Sequence, residues 1–150
     1  MSTEEVVEEK ETFLLQVITP EGVALEKEVL YSKLPGETGE VGVYVNHTPT
    51  LLSCHPGKIL TKEPNGEIHK YFIPSGYSEI TKEKVTVLAP YIENADKINP
   101  ERAEEAKKRA LDRLHSNDES IDRIRARKAL FRAERRIYIY NLKNKNKNKN

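Results

Sequence analysis

Nine arginines, the side chains that grip phosphate or carboxylate through paired hydrogen bonds, all fall between Arg102 and Arg136. The residues before them carry their positive charge only as lysine. Residues 1–97 hold a net charge of −7, residues 98–142 hold +4, and the Lys-Asn tail adds +4, so the overall +1 hides a bipolar chain. Such a segment points to an anionic ligand or an acidic partner. An ordinary solvated face explains part of the pattern, since Glu105 with Arg109 and Glu104 with Lys108 are i,i+4 pairs. Arg102 and Arg109 stand two turns apart on one helical face, and Arg132 and Arg136 stand one turn apart further on. If the two segments pack antiparallel, these four guanidiniums converge, and Arg102 in a first helical turn adds free backbone N–H groups to the attraction for an anion.

Other chemistry finds little support. Cys54 and His55 are adjacent, so on a strand they point to opposite faces, and no metal site is expected from them or from His47 and His69. Gly36, Gly39 and Gly42 have neither the GxGxxG spacing nor the Lys-Ser/Thr of a phosphate loop; they read as glycines with positive φ between strands. Ser75 in Pro-Ser-Gly lacks a strand-to-helix context. Acid, base and nucleophile never assemble, and no catalytic residue is expected.

The elements that must place the arginines follow from punctuation and period. Between Thr12 and Ala89, short β segments alternate with Pro, Gly and Asn, arguing for an antiparallel sandwich or barrel. Pro64-Asn65-Gly66 marks a hairpin over residues 58–73, with Asn-Gly predicting a type I′ turn. After Pro90 the period becomes helical. Asn99 caps a first helix with Pro100 at its first position and Ala103, Ala106, Ala110 and Leu114 on one face. Ser116 and Glu119 have capping-box spacing for a second helix, whose stripe is Ala126, Ala129, Leu130, Ala133, Ile137 and Tyr140. Alanine faces bury little area, so this hairpin needs a partner surface or can leave one. The expected organisation is a flexible acidic N-terminus (1–11), a β-sandwich (12–91), a helical hairpin (92–142) and a disordered Lys-Asn tail (143–150), an α+β chain. One cysteine excludes an internal disulfide, no N-terminal stretch resembles a signal peptide, and no apolar run reaches bilayer length.

GEVGVYVNHTPTLLSCHPG, residues 39–57, resembles the signature of the epsilon subunit of rotary ATP synthases, with Thr50-Leu51-Leu52 departing slightly in spelling. LLQVITPEG, PSGYSEI, VTVLA and the Ala/Arg-rich hairpin extend the resemblance in order over about residues 12–142. It implies a sandwich, commonly ten-stranded, that binds the gamma subunit and sits on the ring of c subunits in a proton-translocating enzyme, with chemistry left to the beta subunits. It implies a helical hairpin that folds on the sandwich or extends into the alpha/beta hexamer and opposes ATP hydrolysis. Glu40 and His47 match the rotor-contact region. Some bacterial members bind ATP through Ile/Leu-Asp-x-x-Arg-Ala; here Ile98, Asn99, Arg102 and Ala103 occupy that stretch, with Glu93, Arg109, Arg132 and Arg136 at its further positions. Asn99 replaces the aspartate and offers a cap but no carboxylate, so the implied regulatory ATP loses one anchor. The implied location is peripheral, on the cytoplasmic side of a bacterial inner membrane or the stromal side of a thylakoid. The alternative is a free-standing nucleotide- or nucleic-acid-binding module built on the arginine hairpin. Eight interleaved acids and few aromatics argue against a nucleic-acid partner.

Overall fold

Phe13, Leu15 and Val17 are buried while Leu14 and Gln16 are not, the period-two signature of a strand with one face on a core. The computed structural model describes residues 11–147 and contains ten such strands followed by two helices. The acidic segment before Glu11 and the last three residues of the Lys-Asn tail lie outside the described residues. The strands are β1 (Phe13–Thr19), β2 (Gly22–Val29), β3 (Tyr31–Gly36), β4 (Gly39–Val43), β5 (Thr50–Cys54), β6 (Gly57–Lys62), β7 (Ile68–Ile73), β8 (Gly76–Ile80), β9 (Lys84–Leu88) and β10 (Glu93–Asn94).

Strand β3 is where the sheet folds over. Tyr31–Lys33 pair with β6, Ser32–Gly36 pair with β4, and only Gly36 reaches Cys54 of β5. One layer is therefore β4-β3-β6-β7-β10 and the other β5-β8-β9-β1-β2. Leu34, Val43, Ile59, Tyr71 and Ile73 from the first layer meet Leu15, Val17, Ile80, Val85 and Val87 from the second in one apolar core. The expected sandwich is present, with one departure from antiparallel pairing: β1 runs parallel to β9 from Leu14↔Lys84 to Ile18↔Leu88. The sheet also extends past residue 91, because Glu93 and Asn94 pair with Phe72 and Tyr71.

The β6–β7 hairpin is where expected, but its turn is different. The Gly66 N–H donates to the Glu63 carbonyl at 2.9 Å, and Gly66 alone takes positive φ (+88°). Pro64 fixes a negative φ at the first turn position, so the chain makes a type I turn closed by a glycine bulge. Among the three glycines 36, 39 and 42, only Gly39 has positive φ (142°). Gly36 is held by packing instead, since a Cβ there would lie 2.7 Å from the Gly39 carbonyl oxygen, whereas at Gly42 the nearest atom is the Tyr31 hydroxyl at 2.9 Å, a side-chain end that can shift.

Gly76 is the tightest such position: a Cβ would stand 2.5 Å from the Leu88 carbonyl oxygen, which is backbone and cannot swing aside. Gly76→Ala is expected to force β8 and β9 apart at a cost of about 1–3 kcal/mol. Thermal unfolding followed by circular dichroism should show a midpoint several degrees lower, and an unchanged midpoint would contradict this packing.

Candidate functional site: the hairpin and the face it covers

Helix α1 (Pro100–His115) begins where Asn99 accepts hydrogen bonds from the N–H groups of Glu101 (3.0 Å) and Arg102 (3.2 Å). Helix α2 (Arg123–Lys147) begins at Asp122, whose carboxylate accepts from the Arg125 N–H at 3.0 Å. The expected capping box at Ser116 and Glu119 is not the cap. Ser116 instead closes α1, and Arg123 donates to the carbonyls of Leu114 and Ser116, both at 2.7 Å, satisfying the C-terminal acceptors of α1. Ala103 and Ala110 on α1 and Ala126 and Ala133 on α2 are buried, and the two helices pack closely on these small side chains. Helix α2 runs on to Lys147, into the stretch expected to be disordered from residue 143. Lys143 explains part of that, since its ammonium pairs with Asp96 at 2.9 Å and ties the last turns of α2 to the sandwich.

The second face of α2 docks on the outer surface of the first layer. Phe72 is fully buried there against Ala95, Ile98 and Ile139, with Tyr140 alongside, in a cluster separate from the sandwich core. Around this plug Arg136 bonds to Glu93 of β10 in a half-buried ion pair and lies over the Phe72 ring at 5.7 Å. Its Nε is buried with no hydrogen-bond partner among the described residues, so the contact is strong yet incompletely satisfied. Further along, Phe131 meets His55 edge-on at 6.2 Å. Beside them a cleft of about 790 Å³ opens between α2 and the sandwich, lined by Tyr91, His55, Ser75, Arg127, Lys128 and Arg132. Cys54 at its floor bonds to Ser78 at 3.3 Å, and burial pushes its thiol pKa up, offset in part by that hydroxyl.

The residues expected in an anion site are thus placed as follows. Glu93, Ile98 and Arg136 are together around Phe72. Asn99 caps α1, and Ala103 is enclosed between the helices. Arg132 lines the adjacent cleft with Arg127 and Lys128, whereas Arg102 and Arg109 are exposed on α1 and do not line it. Glu40, the second residue of β4, pairs with Lys58 (3.2 Å) and Lys33 (3.7 Å). His47 lies beyond the other end of β4, and its Nδ1 donates to the Thr48 carbonyl at 2.7 Å. Lys70, diagonal to Lys58 across β6 and β7, has its pKa lowered by burial and by that neighbouring ammonium.

Sequence reasoning missed Phe72, Phe131, Ile139 and Asp96 as docking residues. Phe131 and Ile139, two turns apart with Arg135 between them stacked over the Phe131 ring, form a second contact edge on α2 beside the alanine stripe.

Opposite the hairpin, the second layer keeps an apolar row in the open. The pairings Ile18↔Val23, Ile18↔Leu88 and Tyr77↔Leu88 put these four side chains in line across β2, β1, β9 and β8. Val23, Leu88 and Tyr77 are exposed by more than half of their surfaces, and Leu51 on β5 by 84%.

Residues 12–95 match the family model for the ATP synthase delta/epsilon chain β-sandwich domain, and residues 96–140 match that for its long α-helix domain. The ATP synthase epsilon chain of Desulfitobacterium hafniense (strain Y51) is 40% identical over 126 residues, covering 84% of this chain and 94% of that protein. That of Nitratidesulfovibrio vulgaris (strain DP4) is 39% identical over 125 residues, covering 83% and 92%. A chain in the cryo-EM structure of the Euglena gracilis mitochondrial ATP synthase OSCP/F1/c-ring superposes with a TM-score of 0.75 at 22% identity, over 82% of this chain and 78% of that one. At that identity the likeness is one of fold.

Proposed function

Because the chain belongs to the ATP synthase delta/epsilon family, as an epsilon-type chain, we propose that it is the non-catalytic central-stalk subunit whose sandwich clamps the gamma subunit and whose hairpin restrains ATP hydrolysis. One observation supports this most directly: the sandwich has two docking faces, one covered by its own hairpin and one left bare. The bare row of Val23, Ile18, Leu88 and Tyr77, with Leu51 diagonal to it on β5, is the contiguous apolar surface that a lone soluble domain does not keep without a partner. Gamma occupies it. The loops at the ends of β4, with Glu40 and His47, meet the ring of c subunits. Arg102 and Arg109, exposed on α1, remain available to acidic segments of the alpha/beta hexamer once the hairpin extends. Regulatory ATP favours the docked form, its phosphates drawn to the cations of the Arg132 cleft and its differential affinity setting the shift. The subunit is peripheral to the membrane; among the described residues no helix is long and apolar enough to cross one.

Tyr77→Glu combined with Leu88→Glu tests the bare face. Both side chains point outward, so the fold is expected to survive, while gamma binding weakens by more than about 100-fold, the loss of two central apolar anchors. Copurification of tagged gamma with the double variant at wild-type yield would refute the assignment.

A further inference from the structure

The tip of the β6–β7 hairpin, apart from the arginine hairpin and the bare apolar row, brings three metal-ligating side chains to one point. Glu63 and Glu67 are the residues that close the turn, joined by the Glu63 N–H donating to the Glu67 carbonyl at 2.8 Å. The Asn65 side chain accepts from the Glu67 N–H at 2.9 Å and stiffens the loop between them. His69 lies two residues beyond Glu67, on the same side of the strand, so all three donors are set by the hairpin backbone. His69 Nε2 stands 3.2 Å from Glu67 Oε2 and 3.8 Å from Glu63 Oε1, and the three donor atoms lie within 4.8 Å of one another.

We propose that Glu63, Glu67 and His69 form a binding site for one divalent transition-metal ion of the zinc type, with solvent completing the coordination. A tetrahedral zinc ion with bonds of about 2.0–2.2 Å needs donors about 3.3–3.6 Å apart, and the two imidazole-to-carboxylate separations bracket that edge. One imidazole with two carboxylates selects zinc over magnesium, which favours all-oxygen octahedral sites. Lys27 is the resident competitor. Its ammonium lies 2.7 Å from Glu63 Oε1 and 5.5 Å from the centre of the Tyr71 ring, so the metal must displace it.

Zinc titrated calorimetrically into the full chain is the test. The expected result is one ion per chain, affinity lowered by more than about 100-fold in His69→Ala because a direct ligand is lost rather than a supporting group. Glu67→Gln, which keeps the shape of the turn, is expected to weaken binding as well, while Lys27→Met tightens it and His55→Ala leaves it unchanged. Excess magnesium should not displace the zinc. Absence of saturable heat, equal binding by wild type, His69→Ala and Glu67→Gln, or zinc displaced by magnesium would each overturn the site.

Discussion

A chain cut after Lys97 is expected to fold, to bind gamma as the full chain does, and to leave the assembled complex hydrolysing ATP faster. The folding half rests on where the core lies. Every residue of the main cluster, from Phe13 to Ala89, belongs to the sandwich, and none comes from α1 or α2. Removing the helices uncovers Phe72 and Ala95 and deletes Ile98 and Ile139, so only the outer plug is lost. Exposing one fully buried aromatic costs about 1.5–3 kcal/mol. That loss lowers stability without dismantling the core. The gamma half rests on geometry, because the bare apolar row lies on the layer that the hairpin does not cover.

The hydrolysis half rests on the proposed brake. If the extended hairpin holds about nine assemblies in ten inactive, removing it raises turnover about tenfold; if it holds half, about twofold. Reconstituted complexes carrying full or truncated chains, assayed side by side for phosphate release, give the answer. Equal rates would eliminate the brake, whereas loss of gamma from the truncated complex would instead eliminate the modular sandwich.

What the sequence made legible and what it concealed separate along one physical line. Strand and helix boundaries are written locally, in turn residues and in a period that changes from two to about 3.6 after Pro90, and the fold class follows from them. Pairings between distant segments are not written locally. The parallel β1–β9 contact joins residues about seventy positions apart, and nothing in either strand announces it. The turn is not type I′ for a local reason: Pro64 holds its φ negative and leaves Gly66 to make the reversal. The second cap lies at Asp122 because Ser116 finishes α1 rather than starting α2, a distinction that depends on Arg123 reaching back to the Leu114 carbonyl. Among the site residues, Asn99 and Ala103 were legible as a cap and a packed alanine. The partnership of Arg136 with Glu93 was not, since it needs β10 to pair with β7 and α2 to lie across both.

That partnership carries the opposite prediction from truncation. Arg136→Glu places a carboxylate against Glu93 beside the buried Phe72 ring, so repulsion replaces attraction where solvent screening is partial. The docked form is expected to lose about 1–3 kcal/mol, between the values for surface and buried pairs. Its population relative to the released form then falls roughly 5- to 150-fold. Amide hydrogen exchange should report this as lost protection in β7 and α2 with β1, β8 and β9 unaffected. Glu93→Arg combined with Arg136→Glu restores an ion pair of reversed polarity, and recovery of protection in the double variant distinguishes a latch from general damage to the helix. A double variant no better protected than Arg136→Glu alone would show that the ion pair does not hold the hairpin. In the assembled complex the sign is decisive. Truncation removes the brake and raises hydrolysis; unlatching frees an intact brake and lowers it. A latch variant that accelerates hydrolysis as truncation does would mean that the docked hairpin, rather than the extended one, is the restraining form.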